Sequence, residues 1–137
     1  MSLSCFIQTQ APIPGTGAQP VHYPACEWMS DDGSVDQQHP LNRFVCSWLT
    51  SDMSELYRCD EVLHVMAQIE AANRQEWFVD GDAFNVDMQI NAVQFNQSNV
   101  APEDKSYWNQ PEGRFTLAEV KALLLLWRDF LAASVQP

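Results

Sequence analysis

The stretch EWFVDGDAFNVDMQI, residues 76–90, decides the fold class. Trp77 and Val79 stand two apart on one side of its acidic glycine turn; after the turn Phe84, Val86, Met88 and Ile90 interleave with Asn85, Asp87 and Gln89. A period of two held over seven residues marks a half-buried strand, because successive side chains of an extended chain leave opposite faces. Asp80-Gly81 accepts the positive φ angles of a tight hairpin turn, so the two runs are expected to fold back on each other. Residues 92–96, with Val93 and Phe95 inward, add a third strand. The result is an antiparallel meander with one apolar face that needs a cover.

Helical periodicity elsewhere supplies that cover. Thr116 and Glu119 have the spacing of a capping box, and Phe115 and Val120 that of a hydrophobic staple. The helix they open carries Leu117, Val120, Leu124, Trp127 and Leu131 on one stripe, widened by Leu123, Leu126 and Phe130. So broad an apolar face calls for a sheet or a second subunit against it, and the sheet is the stronger expectation. Upstream, Asp60 reads as an N-cap for a helix to about Asn73, with Val62, Val65, Met66 and Ile69 facing the core. Leu41, Phe44, Val45, Trp48 and Leu49 also have helical spacing. The polar loop 97–114, carrying Tyr107 and Trp108, is long for a plain connection and reads as a binding loop or the seat of a short element.

Residues 3–9 can form an opening strand, and 27–29 a short one that turns at SDDGS, residues 30–34. Between them Pro12, Pro14, Pro20 and Pro24 with Gly15 and Gly17 predict an irregular segment at about 10–25. A chain of 137 residues is the size of one domain. The expectation is therefore a single α+β domain over 1–137, an antiparallel meander with one face covered by two or three helices.

Eighteen acidic against seven basic residues give a net charge of −11, a field that repels nucleic acid and anionic membrane and draws basic partners. No apolar run has the length of a membrane span. Cys5, Cys26, Cys46 and Cys59 form no C-x-x-C pair, and MSLSCF has no export-signal pattern, so free, mostly buried thiols in a cytoplasmic protein are expected.

The acidic turn does not fit a calcium loop: after Asp80-Gly81-Asp82 come Ala83 and Phe84 where further oxygen ligands belong. Asp80 and Asp82 read as turn residues and Asp87 as the solvated face of a strand. His22 with Cys26, and Cys59 with His64, miss the compact spacings of a zinc knuckle. No cysteine or histidine stands in a nucleophile signature, and PGTGAQP, residues 14–20, lacks the lysine and following helix of a phosphate loop. Neither catalytic residues, a metal nor a cofactor is expected. Two acidic clusters remain: Asp52, Glu55, Asp60 and Glu61, and Glu76, Asp80 and Asp82.

The order of elements over about residues 41–131 resembles small acidic bacterial proteins of the YacL-like kind. The resemblance rests on a helix ending near Asn73, then Gln75-Glu76-Trp77, the acidic glycine turn, the alternating strands, and a closing helix of LxxVxxLLxxWRxFL type from Leu117 to Leu131. The layout is also similar to immunity proteins of polymorphic or contact-dependent toxin systems, in which a small acidic α+β domain covers the active site of a basic toxin domain. This likeness implies a non-enzymatic inhibitor that meets a basic protein through Glu76, Asp80, Asp82, Asp87, Tyr107 and Trp108. The alternative is a structural or regulatory protein that forms a homodimer through its C-terminal helix.

Overall fold

In chain order the elements are β1 (Ser2–Gln10), β2 (Val21–Met29), a π-helical segment Leu41–Cys46 running directly into α1 (Ser47–Asp52), α2 (Leu56–Glu70), β3 (Glu76–Asp80), β4 (Phe84–Gln89), β5 (Ala92–Gln97), a 3-10 turn Pro111–Gly113, β6 (Arg114–Phe115) and α3 (Leu117–Ser134). The computed structural model describes residues 1–98 and 108–134. Strands β3-β4-β5-β6 make one antiparallel sheet and β1-β2 a second, so the chain is an α+β fold with the expected meander at its centre. No helix among the described residues is long and apolar enough to cross a membrane.

The period-two reading is the register of the sheet. Trp77, Met88, Val93 and Phe115 form one row across all four strands, and Val79, Val86 and Phe95 the next. These rows face the helices. Phe95 is fully buried, in edge contact with Trp48 at 5.2 Å, Phe84 at 6.2 Å and Phe115 at 5.8 Å between ring centroids. On α3, Leu117, Val120, Leu123, Leu124, Trp127 and Leu131 are all buried, and the helix packs on α2, β1 and β5. The main stripe is thus covered within the chain; of the residues expected to widen it, Leu123 is buried, Phe130 is half-buried and Leu126 is exposed. The Trp127 indole donates to Met53 O at 2.8 Å, and the ion pairs Arg128–Asp60 and Lys121–Glu70 tie α3 to α2.

Several expectations are corrected. The helix expected to start at Asp60 begins at Leu56, where Arg58 and Cys59 N–H already reach Glu55 O; Asp60 lies inside it, facing Arg128. Ile90, expected inward, sits in the two-residue turn between paired Gln89 and Ala92 and is exposed. The irregular segment is confined to 11–20, because β2 extends through Pro24 opposite Ile7. Asn42 explains how a proline fits there. Its side chain accepts from Trp28 N–H at 2.7 Å and donates to Trp28 O at 3.0 Å, so Trp28 turns both groups away from β1. Residues at a spacing of two share that orientation, so the missing N–H of Pro24 also falls on the edge away from β1.

The outer face of the main sheet is not the wet surface that the sequence predicts. Asn85, Gln94 and Asn96 are buried there. Gln94 Nε2 donates to Gln110 O at 3.0 Å, and Asn96 Oδ1 accepts from Asn109 N–H at 2.8 Å, so the segment leading to β6 folds back across the strands. Carboxamides suit this position because they satisfy backbone groups that a covering loop would otherwise bury unpaired. The expected helical cap on α3 is present: Glu119 N–H donates to Thr116 Oγ1 at 3.1 Å, and Thr116 N–H to Glu119 Oε1 at 3.2 Å.

Truncating the most connected ring should cost what a large core cavity costs. Phe95→Ala is expected to lower unfolding free energy by about 3–5 kcal/mol in urea titrations followed by tryptophan fluorescence. A loss within about 1 kcal/mol would show that the ring cluster does not hold the sheet to the helices.

Candidate functional site

Asp52 closes α1, and its carboxylate reaches across to the β3–β4 turn at residues 81–83. Ala83 N–H donates to Asp52 Oδ1 at 3.0 Å and Phe84 N–H to Oδ2 at 3.1 Å. Gly81 does not take the positive φ expected of it. It is glycine for space: a Cβ there would stand 2.5 Å from Asp52 Oδ2 and 2.8 Å from Phe84 O. The turn is braced twice more, by Gly81 N–H on Phe84 O at 2.8 Å and by the Ser98 hydroxyl near the Gly81 and Asp82 carbonyls at 3.1 Å. A wide three-residue turn therefore replaces the two-residue hairpin, because Asp52 takes up the amides of its return arm.

Beside this turn lies a polar cleft of about 160 Å³. Its helical wall is Ser51, Asp52, Ser54, Glu55 and Arg58; its other wall is Asp80, Gly81 and Asp82. Asp80, Asp82, Ser54 and Glu55 are exposed. Burial pushes the Asp52 carboxyl above the usual carboxylate range, against the lowering effect of the Ala83 and Phe84 amides, and Asp82 adds a smaller push upward. The four carboxylates can accept a cationic side chain, with the Arg58 guanidinium on the helical wall offsetting part of their charge. Among the described residues no group of three or more His, Cys, Asp or Glu is arranged to hold a metal ion.

The structure divides the residues proposed from sequence. Asp80 and Asp82 meet at the cleft. Glu76 stands opposite Gln89 at the far end of β3, roughly 13 Å away at 3.3 Å per residue. Asp87, expected to be solvated, is half-buried on the outer sheet face between Phe78 and Gln94, and its Oδ1 is buried without a hydrogen-bond partner among the described residues. Trp108 is half-buried, and Tyr107 lies outside the described residues. Asp52 and Glu55, assigned by sequence to a separate cluster, complete the cleft. No local signal marks that union, since Asp52 meets Ala83 across 31 positions.

A second cleft, of about 240 Å³, lies between β2 and α1 and includes Cys26, Cys46 and Thr50 in its walls. Contact with Cys46, then burial, holds the Cys26 thiol far above its ordinary range, which keeps it protonated and a weak nucleophile. Two of the histidines have local partners: His22 Nδ1 pairs with Thr9 Oγ1 at 2.9 Å, and His39 Nδ1 accepts from Leu41 N–H at 3.1 Å. His64 is exposed on α2. No protein-family model, curated protein or solved structure matches the chain.

Gly81→Ala should destabilise by about 1–3 kcal/mol in chemical unfolding, since the added methyl meets a backbone oxygen that cannot swing away. A neutral result would mean that the Asp52 contact is loose. Asp52 also carries a pH signature. Its raised folded pKa means that its contribution to stability is complete below the unfolded carboxylate range, about pH 4, and is lost as pH rises through the folded value. The stability of Asp52→Asn relative to wild type is therefore expected to rise with pH across the mildly acidic range. A flat or falling difference in pH-resolved urea titrations would refute this assignment.

Proposed function

We propose that this protein is a non-enzymatic binding protein of the immunity type, which presents the acidic cleft at the β3–β4 turn to a basic protein partner, most concretely a toxin domain whose active site it occludes. One observation carries the reading: Asp52 and Glu55 from the α1–α2 junction join Asp80 and Asp82 on a turn already fixed by hydrogen bonds. Carboxylates carried on a backbone that is fixed before encounter spare the cost of ordering the turn on binding, and in a chain of charge −11 they steer a cationic surface toward the cleft. Lysine and arginine side chains are the groups that Asp80, Asp82 and Glu55 would receive. The same reading puts the protein in the cytoplasm, where such an inhibitor meets its target.

Self-association through α3 has a narrower basis. The stripe that motivates it is buried within the chain, which leaves the adjacent Leu125, 42% exposed, and Leu126, 55% exposed, as the remaining apolar contact.

The test is paired capture on immobilised wild type and on Asp80→Lys/Asp82→Lys, from host lysate at low salt and then in rising salt. A basic protein that wild type retains, that elutes as salt rises and that the variant retains at least tenfold less is expected, because exposed charges are screened over about 8 Å at physiological ionic strength. Retention indifferent to salt and to both reversals would remove the cleft from the mechanism. A chain that sediments as a dimer and returns to monomer in Leu125→Ser/Leu126→Ser would favour the α3 reading instead.

A further inference from the structure

Three of the four cysteines converge at the base of the N-terminal hairpin. Cys5 of β1 stands directly opposite Cys26 of β2, and Cys26 Sγ lies 3.9 Å from the backbone oxygen of Cys46. All are free thiols. The position of the strand pair in the ladder follows from Asn42. Because Trp28 gives both its N–H and its C=O to Asn42, the opposed pair Leu3–Trp28 exchanges no hydrogen bond across the ribbon. The two kinds of pair alternate, so Cys5–Cys26, two residues further along, is of the same non-hydrogen-bonded kind. At such positions opposed Cα atoms approach to about 4.5 Å, inside the roughly 4.4–6.8 Å that a disulfide spans, and the two side chains leave the same face.

We propose that Cys5 and Cys26 are a thiol-oxidation site that closes to a cross-strand disulfide, with a low-molecular-weight disulfide as the oxidant. Cys5 is the point of entry because it is partly exposed, whereas Cys26 is only 8% exposed. The Cys5 thiolate attacks one sulfur of the small disulfide, whose S–S bond breaks and releases one small thiol, leaving a mixed disulfide on Cys5. Cys26 is a weak nucleophile on its own account, but it stands directly opposite the Cys5 sulfur; it attacks that sulfur, and its proton leaves with the second small thiol as that is expelled. The two protein thiols give up two electrons and two protons, and the oxidant becomes two thiols. Cys46 does not compete for Cys5: it lies beyond Cys26, on the helical side of the pair.

The product pins the base of a ribbon whose outer half exposes Ile7, Ile13, Val21 and Tyr23. A two-stranded ribbon is marginal on its own in water, so a covalent tie at its base restricts fraying of the half that stands clear of the core. Burial, then the neighbouring Cys26, pushes the Cys5 thiol up to about 11, so oxidation is slow near neutrality and quickens about tenfold for each pH unit until that value is approached.

The test incubates the folded full-length chain with oxidised glutathione at about pH 8.5, blocks residual thiols by alkylation, and maps the digested peptides by mass spectrometry. The expected product is a peptide linking Cys5 to Cys26 with Cys46 and Cys59 alkylated only after denaturation; it forms unchanged in Cys46→Ser/Cys59→Ser. Glutathione retained on Cys5 without transfer to Cys26, a Cys26–Cys46 link, or a chain left fully reduced would each overturn the proposal. The wild-type map decides the matter without any variant, and a rate that does not change between pH 7.5 and 8.5 would overturn the route through Cys5.

Discussion

Phe95 is the ring on which the sheet and the helices agree. It sits mid-strand in β5, and its contacts with Trp48, Phe84 and Phe115 join α1, β4 and β6 at one point. Aromatic rings combine large buried area with a preference for edge-to-face contact, so such a cluster fixes orientation as well as distance. With Trp48 seated against Phe95, the last turn of α1 is placed, and Asp52 on that turn is carried to the end of the sheet where β3 returns into β4. The acidic cleft is thus a consequence of core packing. A shift in the rings would move Asp52 off the amides that it now accepts.

That arrangement sets two demands against each other. Asp52 is half-buried, which disfavours its charge, yet its two amide bonds need its oxygens as acceptors. Asp82 beside it adds repulsion. A protein selected for stability alone gains little from four carboxylates around one cleft, because like charges in proximity oppose the compact state. Keeping them together costs some stability when the cleft is empty, and a cation brought between them relieves the repulsion. Sites that sacrifice stability for charge are commonly those where a partner supplies the balance.

The sequence was most legible where the deciding contacts are local. The alternation at 84–89 and the Thr116–Glu119 box each rest on neighbours a few residues apart, and both appear in the fold as read. The misreadings share a different cause. Gly81 suggested a tight turn by its identity, but its reason is Asp52, whose oxygens approach from another element. Alternation predicts a solvated Asp87 because it puts the residue on the face opposite the apolar one, and it does not reveal a loop that doubles back over that outer face. Asp60 has the chemistry of a cap and so suggests a later start for α2, while its partner, Arg128, is 68 positions away. Half of the cleft was visible as an acidic turn; the other half lay in a cluster that only the tertiary fold could bring to it.

Asn42 has a further consequence for how the N-terminal ribbon behaves in a crowded solution. An open strand edge is a template for accretion, and proteins guard such edges with charges, prolines or covering groups. The arm carries Glu27 as its sole formally charged side chain before Asp31, so charge does little guarding here. Instead β2 is sealed, at one end by the carboxamide of Asn42 standing in for a neighbouring strand, and further out by Pro24, which offers no donor. A ribbon sealed on one side can accept a strand only along β1. Stacking through β1 ends after a single pairing, so the geometry that seats the hairpin on its helix also denies it the two open sides that a growing fibre requires.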